Sequence, residues 1–173
     1  IETQKLLKIP KKKLDILIHP NSLVHAIIEL KNGLTKFIYH QTSMIIPLAN
    51  AIFDGNLNIE DFYKIKKKAD KNIIENLIFK KVDHKIFPII KLKDRANEHP
   101  STSIIINASN EILVDHFLRK KIQFSYIFKI IMDILNDKNY KKYAIKQPKS
   151  LIQINKIDNW ARTKTLEKLD KHE

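Results

Sequence analysis

Cysteine is absent from the 173 residues, which removes disulfide bridges, thiolate catalysis and every cysteine-ligated metal or iron–sulfur site at once. Such usage fits a reducing compartment. Glycine is almost as scarce. Gly33 and Gly55 are the only two, so neither a dinucleotide-binding fingerprint nor a Walker loop can be written in this sequence. Arginine is confined to Arg95, Arg119 and Arg162. No apolar run approaches the roughly 18 residues that would span a bilayer. The first residues lack the basic start, apolar stretch and small-residue cleavage site of a secretory leader, so secretion is not expected. Because it opens on Ile1-Glu2 rather than methionine, the sequence reads as a piece of a longer protein.

What is present is lysine. Lys and Arg together number 32 against 19 Asp and Glu, a formal charge of +13, and the abundance of Lys, Ile and Asn matches the bias of an AT-rich genome. The 43% hydrophobic content is enough for a core, and at roughly 150 residues per domain the chain holds one domain or two small units. Lys11-Lys12-Lys13 and the lysines between 64 and 71 suit phosphate neutralisation. Base readout, however, uses arginine forks and stacked aromatics, and neither clusters with these lysines. A solvated face is the plainer account; a lysine-rich module binding nucleic acid or an acidic partner is the alternative.

From Leu14 to Gln41 the pattern is that of strands. Leu14 to Ile18 ends at His19-Pro20, and Leu23 to Leu30 and Leu34 to Tyr39 flank Asn32-Gly33, a hairpin signal. A two-residue turn there sets Glu29 opposite Lys36, Ile28 opposite Phe37 and His25 opposite His40. The expected inward face carries Ala26, Ile28, Leu30, Phe37 and Tyr39, and both histidines fall on the more polar side. A short helix is expected from Ser43 to Phe53, with Pro47 in its first turn and Asp54-Gly55-Asn56 at its end. Another is expected near Ile59 to Lys68, followed by a connecting stretch through Phe87-Pro88.

The remainder is helical. Ser101 to Leu118 has apolar residues at helical spacing. Ser125 is the expected cap of a segment in which Ile127, Ile130, Ile131, Ile134 and Leu135 follow i, i+3, i+4, i+7, i+8. Asp158 is the expected cap of a last helix with Trp160, Ala161, Leu166 and Leu169, and three helices on short connections imply an antiparallel bundle. The fold class read from these patterns is α+β: a short β-sheet with a hairpin, then a C-terminal helical bundle.

Chemistry-bearing side chains are sparse. His84, His99, His116 and His172 stand alone, with no His-Glu-x-x-His among them. His19-Pro20-Asn21-Ser22-Leu23-Val24-His25 differs, because two imidazoles and a hydroxyl lie where one strand breaks and the next begins, and such loops commonly host site residues. The plainer account is that His19 caps a strand before proline and His25 fills a sheet position. Asn107-Ala108-Ser109-Asn110-Glu111 interrupts an apolar helix, and a hydrogen-bonded network orienting that helix is favoured there over substrate contact.

Residues 16–28, Ile-Leu-Ile-His-Pro-Asn-Ser-Leu-Val-His-Ala-Ile-Ile, resemble the Ile-His-Pro-x-Ser-x-x-His-Ser run of the 1-deoxy-D-xylulose 5-phosphate reductoisomerases. Ser43-Met44-Ile45-Ile46-Pro47 is similar to that family's Asp-Met-x-x-Pro, and Asn107 to Ile112 to its Asn-Ala-Ala/Ser-Asn-Glu-Ile. Leu77-Ile78-Phe79 through Phe87-Pro88, Lys91-Leu92 and Asp158 to Ala161 continue the likeness in family order. Ser43 stands where the family usually has Asp, Phe53-Asp54-Gly55 replaces a Trp-Pro segment, and residues 56–76 match poorly.

The resemblance implies an enzyme that rearranges its sugar phosphate on a divalent metal and reduces the aldehyde with NADPH, in non-mevalonate isoprenoid synthesis. It implies NADPH and Mg²⁺ or Mn²⁺ as cofactors of the full-length enzyme, with their ligands upstream of Ile1. It also implies a homodimer, and a bacterial cytoplasm or a plastid as location. Residues 1–55 would be the tail of the catalytic domain, 56–88 a linker and 89–173 the C-terminal helical domain. His25 matches the signature's second histidine, with orienting or hydrogen-bonding work; His19 and Ser22 are further candidates, and Met44 matches a methionine that walls the pocket. The segment alone is expected to be inactive. A decayed enzyme, marked by Ser43, is a third reading.

Overall fold

Apolar residues at helical spacing dominate one part of the chain and strand-forming runs the other, and the fold separates along that line. The computed structural model describes residues 1–61 and 77–170. One compact unit is Asp15–Val82; the other joins Ile1–Leu14 to Asp83–Glu173. The expected α+β class holds, with a hairpin and a helical bundle. The units cut the chain differently from the three-block division at 55 and 88. Ile1–Leu14 belongs with the helices, because Lys11 pairs with Asp94, Lys5 and Gln4 hydrogen-bond to Asn97, and Lys93 Nζ donates to the Leu14 carbonyl.

In the first unit, β1 (Leu17–Ile18) pairs antiparallel with β4 (Lys80–Lys81). β2 (Val24–Glu29) pairs antiparallel with β3 (Thr35–Tyr39). The hairpin forms where Asn-Gly predicts it, but its register differs by one residue. Glu29 lies opposite Thr35, Ile28 opposite Lys36 and Ile27 opposite Phe37. The cause is a three-residue loop. Leu30 N–H bonds to Leu34 C=O at 2.9 Å, Gly33 N–H returns to Leu30 C=O at 3.1 Å, and only Gly33, at φ +84°, takes a left-handed conformation. A turn closed by a left-handed glycine adds one residue to the loop, and a one-residue slip moves every β3 side chain to the other face relative to β2. The expected Glu29–Lys36 pair is therefore lost. Nor is one face inward: Ile27 and Ile28, on opposite faces, are 37% and 42% exposed.

α2 (Ile45–Ile52) lies inside the expected Ser43–Phe53, starting two residues later and ending one earlier, with Pro47 in the first turn and left-handed Asp54 and Gly55 after it. Of the helix expected from Ile59, only the turn Ile59–Asp61 is described. The rest of it, with the lysines from 64 to 71, lies outside the described residues.

The helical unit contains α1 (Glu2–Leu6), α3 (Leu92–Arg95), α4 (Thr102–Leu118), α5 (Phe124–Leu135), α6 (Tyr140–Ala144) and α7 (Leu151–Leu169). α4 packs on α5 and α7, and α5 packs on α7. The α5 stripe, Ile127, Ile130, Ile131, Ile134 and Leu135, is buried throughout, as its spacing requires. The helix starts at Phe124, one residue before the expected cap, with Gln123 flanking it, so Ser125 lies inside the first turn. α7 starts much earlier than Asp158. Ser150 caps it, its hydroxyl accepting from Gln153 N–H at 3.3 Å, and Asp158 sits in mid-helix beside Arg162. Pro148 just upstream keeps the chain extended until Ser150. α7 buries Ile157, Ala161, Thr165 and Leu169, one residue per turn, and the Thr165 hydroxyl donates to the Ala161 carbonyl at 2.7 Å. Tyr143 of α6 stacks on Trp160, centroids 4.5 Å apart.

Candidate functional site

The strand break after Ile18 follows from Pro20, which has no N–H to offer a ladder. Ser22 N–H bonds back to the His19 carbonyl at 2.9 Å, and Ser22 takes φ +51°, a left-handed conformation that costs a non-glycine residue about 1 kcal/mol. Strain of this kind gathers at functional loops. The turn thus brings together His19 and Ser22. His19 is half-buried and its Nδ1–H donates to the Ile78 carbonyl at 3.0 Å, with the Phe79 ring 5.1 Å away and Phe37 beyond it. Its Nε2 is enclosed and has no partner among the described residues. His19 therefore clamps the strand break to the segment before β4, while the Ser22 side chain is exposed.

His25 is exposed. It occupies the irregularity between Val24 and Ala26, where Val24 pairs with Tyr39 and Ala26 with Ile38, so His25 is the extra residue of a β-bulge. Bulges re-aim side chains and recur beside active sites. The imidazole lies flat on that of His40, centroids 3.7 Å apart and planes within 4°. His40 Nδ1–H donates to the Gln41 carbonyl at 2.5 Å. The sequence set His25 opposite His40 through the wrong register; the bulge produces their contact instead. His40 is the residue that sequence reasoning left out of the site, although its place across the hairpin was a usable signal.

Met44 precedes α2 and is 69% exposed. No hydrogen bond or ring contact ties it to His19, Ser22 or His25 among the described residues. Ser43 does local work: its hydroxyl accepts the Ile45 N–H at 3.3 Å, so the start of α2 keeps a side-chain oxygen acceptor.

The helical unit carries two polar networks. On α4, Asn107 Nδ2 donates to Glu111 Oε1 at 2.9 Å, and Arg162 of α7 bridges Glu111 at 2.5 Å and Asp158 at 2.6 Å. This network ties the two helices together at the surface, since Asn107 and Glu111 are exposed. Hydrogen bonding from Arg162 holds the Glu111 carboxyl below its ordinary value. The guanidinium in turn is stabilised in its charged form, by Asp158 first and Glu111 second. In the second network Thr102 and Tyr140 share a 2.6 Å hydrogen bond, and Tyr140 OH donates to Glu98, itself held by Arg95. Burial pushes the Tyr140 phenol up, and the Arg95 hydrogen bond draws the Glu98 carboxyl down. Of the isolated histidines, His116 Nδ1–H donates to Ile112 C=O, His99 lies 5.7 Å from the Tyr140 ring, His84 is exposed, and His172 is outside the described residues. Among the described residues no three His, Asp or Glu side chains converge to hold a metal ion, and no helix is long and apolar enough to cross a membrane. With two glycines in the sequence, a phosphate loop for a nucleotide has no material either.

Residues 40–164 match the family model described as the DXP reductoisomerase C-terminal domain. A 1-deoxy-D-xylulose 5-phosphate reductoisomerase of Pelagibacter ubique is 36% identical over 169 residues, covering 95% of this chain and 42% of that protein. The Campylobacter hominis enzyme of the same name is 39% identical over 157 residues, covering 88% of this chain and 40% of its own length. In structure, the chain is similar to the reductoisomerase from Zymomonas mobilis in complex with NADPH, at TM-score 0.77, 27% identity and 97% coverage of this chain. It is also similar to a DOX-P reductoisomerase in complex with magnesium, at TM-score 0.80, 25% identity and 98% coverage. The chain spans 42% of each of those two structures.

Proposed function

Because residues 40–164 match its C-terminal domain, this chain belongs to the DXP reductoisomerase family, and from that premise we propose that it works as the C-terminal portion of such an enzyme. The reaction is conversion of 1-deoxy-D-xylulose 5-phosphate to 2-C-methyl-D-erythritol 4-phosphate in isoprenoid synthesis. The family match carries the reading.

The residues present here do not fit the cofactors of the relatives. No metal-holding cluster occurs among the described residues and no phosphate loop is possible, so no step through NADPH or a metal is assigned to this chain. What it supplies is substrate-side positioning. His25, exposed at its bulge, hydrogen-bonds to or orients the sugar phosphate; Ser22 stands on the same strand-break loop, His19 holds that loop in shape, and Met44 forms an apolar wall. In this scheme residues 1–55 close the catalytic domain, 56–88 connect, and 89–173 form the helical domain, with Ile1–Leu14 packed on the helices and β4 of the connecting stretch paired with β1. The intact enzyme is a homodimer.

The test is turnover. The full-length polypeptide that carries this region should consume NADPH with 1-deoxy-D-xylulose 5-phosphate and Mg²⁺, and the 173-residue chain should not. Turnover by the chain alone would show that the missing ligands were wrongly assigned. An inactive full-length protein would instead favour the decayed enzyme.

A further inference from the structure

We propose that His40 is a positioning residue for His25: its imidazole, pinned by the Gln41 carbonyl, is the flat surface that keeps the His25 ring in one orientation. This deepens, and rests on, the reading of His25 as a substrate-side group.

The two rings are held very differently. His40 Nδ1–H donates to the Gln41 carbonyl at 2.5 Å, and since a carbonyl oxygen only accepts, that bond places a proton on Nδ1 and sets the plane of the ring. His25 has no comparable tether. Among the described residues its imidazole contact is the stack on His40, 3.7 Å between centroids and 4° between planes. An exposed histidine without a partner samples several side-chain rotamers. Lying flat on a fixed ring, His25 loses those that swing it away. The nitrogens sit at the ring edge, so the stack occupies one face of the imidazole and leaves both nitrogens free to meet a ligand.

The backbone enforces the pairing. His25 is the extra residue between Val24 and Ala26, which turns its side chain out of the regular alternation. On the other strand His40 N–H bonds to the Leu23 carbonyl at 3.0 Å, so the ladder resumes beyond the bulge and keeps His40 at the height of His25. His40 itself is half-buried and His25 is exposed, the arrangement expected of a support and the group it supports.

The experiment compares His25→Ala, His40→Ala, His40→Phe and His40→Leu in the full-length enzyme, with the His25 ring-proton resonances followed by NMR in the 173-residue chain. His40→Ala should lower kcat by about tenfold with a smaller change in KM, a loss typical of a misplaced group. His40→Phe, which restores a flat ring, should recover most of it; His40→Leu, which fills the space without a ring, should not. The upfield ring-current displacement of His25 should persist in His40→Phe and vanish in the Ala and Leu variants. Equal recovery by Leu and Phe, or an unchanged kcat in His40→Ala beside an impaired His25→Ala, overturns the role of His40 alone. An unimpaired His25→Ala overturns the underlying reading of His25, and this proposal with it.

Discussion

Arg162 shows how one side chain decides whether two helices hold together. It is one of three arginines in the chain and reaches a carboxylate on its own helix and another on α4. A lysine offers no planar fork for such a double contact. Because Glu111 is held below its ordinary value of 4.5 in the folded chain, its stabilising effect is full above that pH and is lost as pH falls through the lower folded value. The partners are partly exposed, so solvent limits the contribution to about 1 kcal/mol or less. Arg162→Gln should therefore lower the urea midpoint at neutral pH, and the gap to the parent chain should narrow once pH falls below the folded value for Glu111. Circular dichroism at both pH values checks this. An equal gap at both would mean that the ion pair contributes nothing and the change acts through packing.

Elements were legible to the degree that one rule governed them. In α5 five isoleucines and leucines repeat at helical spacing, and all five are buried as that spacing demands. α7 hid its first two turns because its buried stripe is Ile157, Ala161, Thr165 and Leu169, in which alanine and threonine carry too little apolar signal to mark a face. Asp158, the cap that the remaining pattern suggests, has its carboxylate committed to Arg162, while Ser150 does the capping. Ser150→Ala should cost about 0.5–2 kcal/mol. Asp158→Ala should leave the start of the helix intact, and backbone amide exchange at Gln153 separates the two. In the hairpin, Asn-Gly announced a turn but not its length, since a two-residue and a three-residue loop both accept glycine after asparagine. The site fared similarly. His25 was visible as a motif residue, whereas its bulge and the stack on His40 depend on a register that only the folded backbone reveals.

At the scale of the molecule, charge sets behaviour that no single contact explains. The formal charge of +13 is carried by lysines, of which Lys11 is paired with Asp94 and Lys164 with Glu167 and Asp137. Polyanion binding should accordingly be sequence-independent and fall steeply with salt. A salt titration with duplex DNA checks this, and tight, sequence-selective binding at physiological ionic strength would favour the interaction module over the enzyme fragment. The single tryptophan has a consequence of another kind. Trp160, stacked on Tyr143, belongs to the helical unit, and Asp15–Val82 contains no indole. Tryptophan emission, excited to the red of tyrosine absorption, is thus an optical reporter of the bundle alone, blind to the hairpin, so comparing it with a far-ultraviolet melt would separate the loss of one unit from the loss of the other without any introduced label.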